Sequence, residues 1–251
     1  METITFTCDK CEKEFTSSKR YASHLKRKTP CKKTYKEEGT KPDKEGKGKE
    51  KEKQYLSDYL IKIKSPSKGN EYKRVCLSPL RYAGGKSKAV GLILENLPSL
   101  KEKKIVSPFF GGGSFEIVLT KELGYEVIGY DIFDFLTNFW TQIIDNNEEF
   151  ISILHSLIPD KDNYTRNRHI LLNYWEKVKP EGHKYKTLNK LELTDKEECI
   201  MDENKIIQAA YYYYNMQLSY GPMFLGWPSS VYLKNEKYEK IVNKLDNIDL
   251  G

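Results

Sequence analysis

Residues 104–131 read KIVSPFFGGGSFEIVLTKELGYEVIGYD, and this stretch decides the fold. Residues 104–106 predict a short buried strand that runs into a glycine-rich turn. Residues 114–123 place apolar side chains at helical spacing, and residues 125–130 predict a second strand with Asp131 at its carboxyl end. Strand, glycine turn, helix, strand and acid, in this order, are typical of the βαβ unit of a nucleotide-type binding site. The sequence therefore predicts an α/β fold.

Apolar residues at helical spacing flank this unit on both sides. A helix is predicted before the unit, at residues 86–97. After the unit the pattern is mostly helical, at residues 134–145, 147–157, 164–178, 203–215 and 235–245, with a loop-rich stretch over residues 216–233. The tyrosines of the run 211–214 are predicted to pack in the core of their helix.

The bulk composition excludes several classes of protein. The chain has 251 residues, a formal net charge of +6 and five cysteines. A basic balance fits a polyanionic partner, although such a charge is common in proteins that bind no nucleic acid. No apolar run is long enough to cross a bilayer, and the first residues lack the pattern of a secretory signal. An odd number of clustered cysteines indicates an intracellular chain with metal-binding thiols.

The first 31 residues hold a cluster of metal-ligand side chains, which are Cys8, Cys11, His24 and Cys31. A tight Cys-x2-Cys turn followed by a helix can place four such ligands around a tetrahedral zinc ion. Phe15 and Tyr21 fall where a ββα finger has its two bulky core residues, so the segment resembles a C2H2 zinc finger with Cys31 in place of the last His. The alternative is a scatter of unrelated cysteines in a disordered tail. The basic helix of the finger favours DNA over a protein as its partner.

Two glycine-containing segments are candidates for a ligand site. Residues 79–86 read PLRYAGGK, in which adjacent glycines let the backbone pass close to a ligand and Lys86 can reach a carboxylate. Residues 108–114 read PFFGGGS and open a helix, which leaves space for a methionine-type or nucleotide ligand over the strand end. Asp131 is placed to accept hydrogen bonds from two ribose hydroxyls.

Three motifs in these segments carry a family resemblance. Residues 81–86, RYAGGK, resemble the amino-terminal motif of the D12 class (Dam-like) of adenine-N6 DNA methyltransferases. Residues 109–114, FFGGGS, resemble the F-x-G-x-G-S cofactor loop of that family, and residues 130–132, YDI, resemble its acidic strand end. Ser107 departs from the pattern, because the family often has an acidic residue there.

The resemblance implies S-adenosylmethionine as the cofactor and double-stranded DNA as the partner. Tyr82, Lys86 and Asp131 would contact the cofactor, while the remaining residues of the motifs shape its pocket. The predicted cofactor-binding set is Tyr82, Lys86, Phe109, Gly111, Gly113, Ser114 and Asp131. The implied fold is a Rossmann-like half-sheet with a mostly helical target-recognition insertion, joined to the small ββα zinc finger.

The chain is predicted to have five zones. Residues 32–54 are almost entirely charged or Gly/Pro and are predicted to form a disordered linker, because they cannot bury enough apolar surface to offset chain entropy. The zones are residues 1–31, the zinc finger; 32–54, the linker; 55–145, the cofactor-binding region; 146–235, the target-recognition region; and 236–251, the start of a truncated return to the catalytic sheet.

The recognition region offers candidate DNA contacts. Basic side chains within it could face phosphates, namely Arg166, Arg168, Lys177, Lys184 and Lys186. Tyr220 or Trp227 could stack on bases.

The sequence lacks the catalytic motif of the family that it resembles. The N6 amine of adenine is a poor nucleophile, and the family binds both of its hydrogens on a flipped base with a tetrapeptide, Asp/Asn/Ser-Pro-Pro-aromatic. This sequence has ten prolines and no Pro-Pro pair. Three explanations stay open: a split enzyme whose second chain carries the motif, a truncated reading frame, and a binding module without methylation. The exposed apolar edge of a half-built sheet favours a partner chain over a free-standing binding module, and it does not separate the split enzyme from the truncated reading frame.

Three functions therefore compete. The first is a site-specific adenine-N6 DNA methyltransferase that needs a second chain for the catalytic motif. The second is a catalytically inactive zinc-finger DNA-binding fragment of such an enzyme. The third is another nucleotide enzyme, which ranks far behind because the sequence has neither a G-x-x-x-x-G-K-S/T loop nor a G-x-G-x-x-G fingerprint.

Overall fold

The computed structural model describes residues 6–8, 14–15, 21, 55–65, 69, 71–98, 102–178, 191–246 and 248–251. The chain divides into two compact units, Met1–Glu52 and Lys53–Gly251.

The first unit contains a short antiparallel hairpin. Strand β1 (Phe6–Thr7) pairs with β2 (Glu14–Phe15), and Phe6 lies opposite Phe15. Cys8 follows β1 and is buried. The other three predicted zinc ligands, Cys11, His24 and Cys31, lie outside the described residues. Within the part of the chain that the structure describes, no cluster of His, Cys, Asp or Glu could hold a metal ion, so zinc stays a prediction.

The second unit contains the βαβ unit that the sequence predicts, with two helices before it. Residues 55–63 form α1, and α2 spans Val90–Glu95. Strand β3 (Lys104–Ser107), helix α3 (Glu116–Lys121) and strand β4 (Glu126–Gly129) follow. The two strands are parallel and in register over their full length. A buried cluster of aliphatic side chains joins α2 and α3 to this sheet and includes Val90, Leu94, Val118 and Leu119.

The rest of the second unit is helical. The helices are α4 (Asp134–Asp145), α5 (Asn147–Ser156), α6 (Lys161–Val178), α7 (Asp195–Glu203), α8 (Lys205–Leu218) and α9 (Asn235–Val242). Helix α8 lies at the centre and packs against α4, α5, α6 and α7. Of the tyrosine run that was predicted to pack in the core, Tyr212, Tyr213 and Tyr214 are almost fully buried, and Tyr211 is only partly buried. The mostly helical character of this region is therefore confirmed.

Several elements differ from the prediction. Helix α2 occupies only residues 90–95 of the predicted range 86–97, because residues 87–89 form a turn before it. Helices α1 and α7 were not predicted. Both carried a signal in the sequence: α1 buries Tyr59 and Ile63 at a spacing of four, and α7 begins with a capping box between Thr194 and Glu197. None of the described helices is long and apolar enough to cross a membrane.

Candidate functional site

The glycine turn after β3 has a backbone that other residues could not easily adopt. Gly111 and Gly113 have φ values of +54° and +63°, in the left-handed region. A Cβ atom on Gly113 would lie 2.8 Å from the Phe110 ring, so a side chain at this position would clash. The Trp140 indole nitrogen donates a hydrogen bond to the Gly111 carbonyl at 2.9 Å, and the Phe110 amide donates to the Tyr130 carbonyl, also at 2.9 Å. The turn is thereby fixed from both β4 and α4.

Asp131 joins the end of β4 to this turn. One carboxylate oxygen accepts the Gly111 amide proton at 2.9 Å, and the other accepts the Phe133 amide proton at 3.1 Å. Within the described residues the carboxylate takes part in no ion pair, and each of its oxygens has a second lone pair. The carboxylate is therefore held in a fixed position and can still accept hydrogen bonds from a ligand.

Tyr82 lies directly against the glycine turn. A Cβ atom on Gly112 would come within 2.7 Å of the Tyr82 side chain, and one on Gly111 within 3.2 Å of its ring. Burial raises the pKa of Tyr82, and the nearby Asp131 carboxylate raises it further, so the hydroxyl stays protonated. The structure thus brings together Tyr82, the turn and Asp131, which lie far apart in the sequence.

The other predicted site residues occupy more varied positions. Ser114 is buried, and its hydroxyl lies 3.5 Å from the position of a Cβ on Gly85, so the segment 82–86 packs against the start of α3. The Lys86 ammonium donates to the Gly84 carbonyl at 2.8 Å and points to no acidic partner that the structure describes. Phe109 is 86% exposed, and Ile132, which follows Asp131, is 94% exposed. Two large apolar side chains are therefore exposed to solvent beyond the carboxyl ends of β3 and β4.

Two cavities flank the cluster formed by Tyr82, the glycine turn and Asp131. A cavity of about 620 Å³ opens on the Asp131 side, between α3 and α4. A second cavity of about 530 Å³ opens on the Tyr82 side and is also lined by Ser114 and by Gln217 of α8. Both are large enough for a ligand of nucleoside size.

Sequence reasoning missed one polar group close to this cluster. The Tyr212 ring, from the middle of α8, contacts the Phe133 ring with centroids 5.8 Å apart. The Tyr212 hydroxyl is buried and has no hydrogen-bond partner among the described residues. A tyrosine within a run of four carries no sequence signal that would separate it from its neighbours.

The recognition region corrects one expectation about phosphate contacts. Arg168 is only 6% exposed, donates to the Leu225 carbonyl at 2.7 Å and lies 4.4 Å above the Trp227 ring, so it cannot face phosphates. Arg166 is paired with Glu197, and Lys177 with Asp202 at 2.6 Å. Lys184 and Lys186 lie outside the described residues.

The loop between α8 and α9 is held in place by buried side chains. Asn215 accepts the Leu225 amide proton at 2.8 Å, and Tyr164 donates to the Gly226 carbonyl at 2.8 Å. Leu225 has φ +55°, which is a strained conformation for a residue with a branched side chain. Tyr220 and Trp227 are exposed on this loop, where the sequence places candidate base contacts.

One family model matches the chain, that of the D12 class N6 adenine-specific DNA methyltransferases, over residues 82–249. The chain belongs to this family. The match begins at Tyr82 and therefore covers the glycine turn, Asp131 and the helical region up to α9. No curated protein matches the chain.

Membership of the D12 family confirms the family assignment made from the three motifs. It also gives the general activity, which is methylation of DNA, with S-adenosylmethionine as the methyl donor of the family. The match does not extend to residues 1–31, so the zinc finger remains a prediction.

Proposed function

We propose that this chain binds S-adenosylmethionine at the cluster of Tyr82, the glycine turn and Asp131, for transfer of its methyl group to N6 of a flipped adenine. A second chain would supply the catalytic tetrapeptide. The observation that carries this proposal is the Asp131 carboxylate, which is fixed by two backbone amides and engaged in no ion pair among the described residues.

The residues present fit this cofactor. The Tyr82 side chain lies against Gly111 and Gly112 of the turn, and the Phe110 and Trp140 rings lie against Gly113. The free lone pairs of Asp131 suit the two hydroxyls of a ribose. Phe109 and Ile132 offer exposed apolar surface for an adenine ring, and Lys86 offers a cation for a carboxylate. When bound, the sulfonium group supplies an activated methyl, while the chain's own residues bind and orient it.

The need for a second chain rests on two observations. The sequence has no Pro-Pro pair, so it lacks the acceptors that adenine N6 requires. Strand β3 uses the Lys103 and Ser107 carbonyls to pair with β4, so the backbone groups of Lys104 and Val106 point to the opposite edge. The described residues contain no third strand there, and Val106 is 57% exposed. We propose that a strand of the complementing chain pairs with this edge.

The proposed DNA contacts are the exposed aromatic residues of the loop between α8 and α9, Tyr220 and Trp227, together with the zinc finger. Because the Arg168 guanidinium packs against one face of the Trp227 ring, that ring is already oriented before DNA binds. Preorganisation of this kind lowers the entropic cost of binding. Gel-shift titration of duplex DNA with the Tyr220→Ala and Cys8→Ser variants would separate the two contributions.

Calorimetry with S-adenosylmethionine tests the cofactor site directly. Asp131→Asn preserves the side-chain volume but removes the negative charge, and we expect about a tenfold or greater loss of affinity because hydrogen bonds to charged acceptors are stronger than neutral ones. Asp162→Asn, at an exposed position in the first turn of α6, is the matched control. If the wild-type protein takes up no cofactor, the proposal fails, and the inactive DNA-binding fragment becomes the better interpretation.

A complementation assay tests the second chain. Methyl transfer to duplex DNA is measured with this chain alone and after mixing with a chain that contains the family's tetrapeptide and the remaining strands. We expect cofactor binding by this chain alone, and methyl transfer only in the mixture. Val106→Pro should abolish methyl transfer in the mixture, because it removes an amide from the open edge of β3 without removing one that pairs with β4. Methylation by this chain alone would disprove the need for a partner.

A further inference from the structure

The two cavities beside the glycine turn carry opposite charge. Three carboxylates line the cavity on the Asp131 side, with no Lys or Arg among its described lining residues; these acids are Glu116, Asp131 and Asp145. Three cations line the cavity on the Tyr82 side, where the described lining residues include no Asp or Glu; these cations are Arg74, Arg81 and Lys244. A concave surface lined by charges of one sign raises the local concentration of ions of the opposite sign. The cavity on the Tyr82 side is therefore a candidate anion site.

The protein itself does not neutralise these cations. In the part of the chain that the structure describes, none of the three forms an ion pair. Arg74 donates to the Ser87 hydroxyl at 3.0 Å. Arg81, which is half-buried, donates to the Gln217 and Ser219 carbonyls. These acceptors are uncharged, and a partly buried cation without an anion costs free energy that an anionic ligand would offset.

The cavity lies between the cofactor cluster and the loop that carries the candidate base contacts. Tyr82 of the cluster forms one part of its wall, and Pro222 and Tyr232 of the loop between α8 and α9 form another. Arg81 links the two ends of this loop, because it donates to the Ser219 carbonyl and its guanidinium lies 3.9 Å from the centre of the Tyr232 ring. A DNA strand that runs from this loop to the methyl donor would pass the cavity.

The number of cations favours DNA phosphates over the carboxylate of the cofactor. A single carboxylate is balanced by one cation, whereas a DNA strand carries one negative charge at every phosphodiester, so several cations in one cavity match successive phosphates. The described basic residues of the predicted recognition region do not take this role. Arg168 is buried, and Arg166 and Lys177 are paired with acids.

We propose that the cavity on the Tyr82 side binds backbone phosphates of the DNA strand, with Lys244 and Arg74 as the phosphate contacts. Arg81 is a positioning residue, since its guanidinium holds the loop between α8 and α9 at the edge of the cavity. This inference rests on the proposed function. It adds phosphate contacts from residues before the glycine turn and after α9, outside the predicted recognition region 146–235.

The salt dependence of DNA binding tests the proposal in the full chain. Lys244→Gln is compared with Lys240→Gln, which removes an exposed lysine four residues earlier that lines neither cavity. Fluorescence anisotropy with duplex DNA should show a loss of about 5–10-fold for Lys244→Gln at about 0.1 M salt, with a slope of log affinity against log salt that is smaller by about 0.9. Adding Arg74→Gln should bring the reduction in slope to about 2. Lys244→Arg should keep the wild-type slope, and duplexes of different sequence should respond alike.

Calorimetry with S-adenosylmethionine separates the two anions. We expect Lys244→Gln and Arg74→Gln to keep the wild-type affinity for the cofactor, and a loss of that affinity overturns the inference because the cations then serve the carboxylate of the cofactor. Equal slopes for Lys244→Gln and Lys240→Gln also overturn it, while DNA as the partner stands. If the wild-type protein binds no duplex DNA, the DNA partner of the proposed function is wrong and this site is wrong with it.

Discussion

The glycine turn and the loop between α8 and α9 are both irregular segments with residues at positive φ, but they are held in different ways. The turn is fixed by local elements: the carboxylate at the end of β4 and the indole of α4 bind its backbone, and two glycines supply its conformation. The loop is fixed by Arg168 and Tyr164 of α6 and by Asn215 of α8, which force Leu225 into a strained conformation. A ligand site close to the sheet can thus be built from a local motif, whereas the recognition loop depends on distant side chains.

The largest expected effect comes from a side chain on the glycine turn. In Gly113→Ala the new methyl group would lie 2.8 Å from Phe110 and 3.1 Å from Trp140, on a backbone with φ +63°. The combination of left-handed strain and overpacking should lower the free energy of unfolding by about 2–4 kcal/mol. Urea denaturation measures the stability, and calorimetry should show that cofactor binding is lost.

A glycine with the same backbone but open surroundings is the control. Gly124 has φ +66°, and nothing lies within 4 Å of an added Cβ. Gly124→Ala should therefore cost only about 1 kcal/mol, from the backbone alone, and should leave cofactor affinity unchanged. Equal losses in the two variants would show that the packing of Phe110 and Trp140 over the turn does not matter.

The next largest effect tests whether the loop between α8 and α9 and the glycine turn are independent of each other. Arg168→Met removes the donor to the Leu225 carbonyl and the cation above Trp227, with a loss of about 2–3 kcal/mol in unfolding free energy. Because the loop and not the turn is loosened, affinity for duplex DNA should fall while calorimetry gives wild-type affinity for S-adenosylmethionine. Arg166→Met, in which a partly exposed ion pair is lost, is the control and should change either affinity little. A parallel loss of cofactor binding in Arg168→Met would contradict the independence of the two regions.

The same contrast explains how far the sequence could predict the structure. The βαβ unit was predictable because its glycines, its apolar periodicity and Asp131 all lie within one short stretch. Helix α4 was predicted at its observed bounds, residues 134–145, because its apolar periodicity also lies within one short stretch. The position of Arg168 was predicted wrongly, because its partners Leu225 and Trp227 lie more than fifty residues away in the sequence. The unpaired hydroxyl of Tyr212 was unpredictable, since its state depends on the packing of several helices.

The smallest effect concerns the ion pair between Arg166 and Glu197, which is one of two that link α6 to α7. Arg166, followed by hydrogen bonds from Thr194, lowers the pKa of Glu197 from 4.5 to about 2. A lowered carboxyl pKa in the folded state means that the stabilisation is complete above pH 4.5 and is lost as the pH falls toward 2. The side chains are partly exposed, so solvent screening makes the contribution small.

Glu197→Gln isolates this contribution, because Gln can still close the capping box at Thr194 while it carries no charge. Unfolding free energy measured by urea denaturation should fall less steeply in Glu197→Gln than in wild type as the pH is lowered from 4.5 to 2. Above pH 5 the two proteins should differ by a constant amount. Cofactor and DNA affinities should be unchanged at neutral pH, since the pair supports neither the glycine turn nor Leu225. An identical pH dependence in both proteins would mean that Glu197 gains nothing from Arg166.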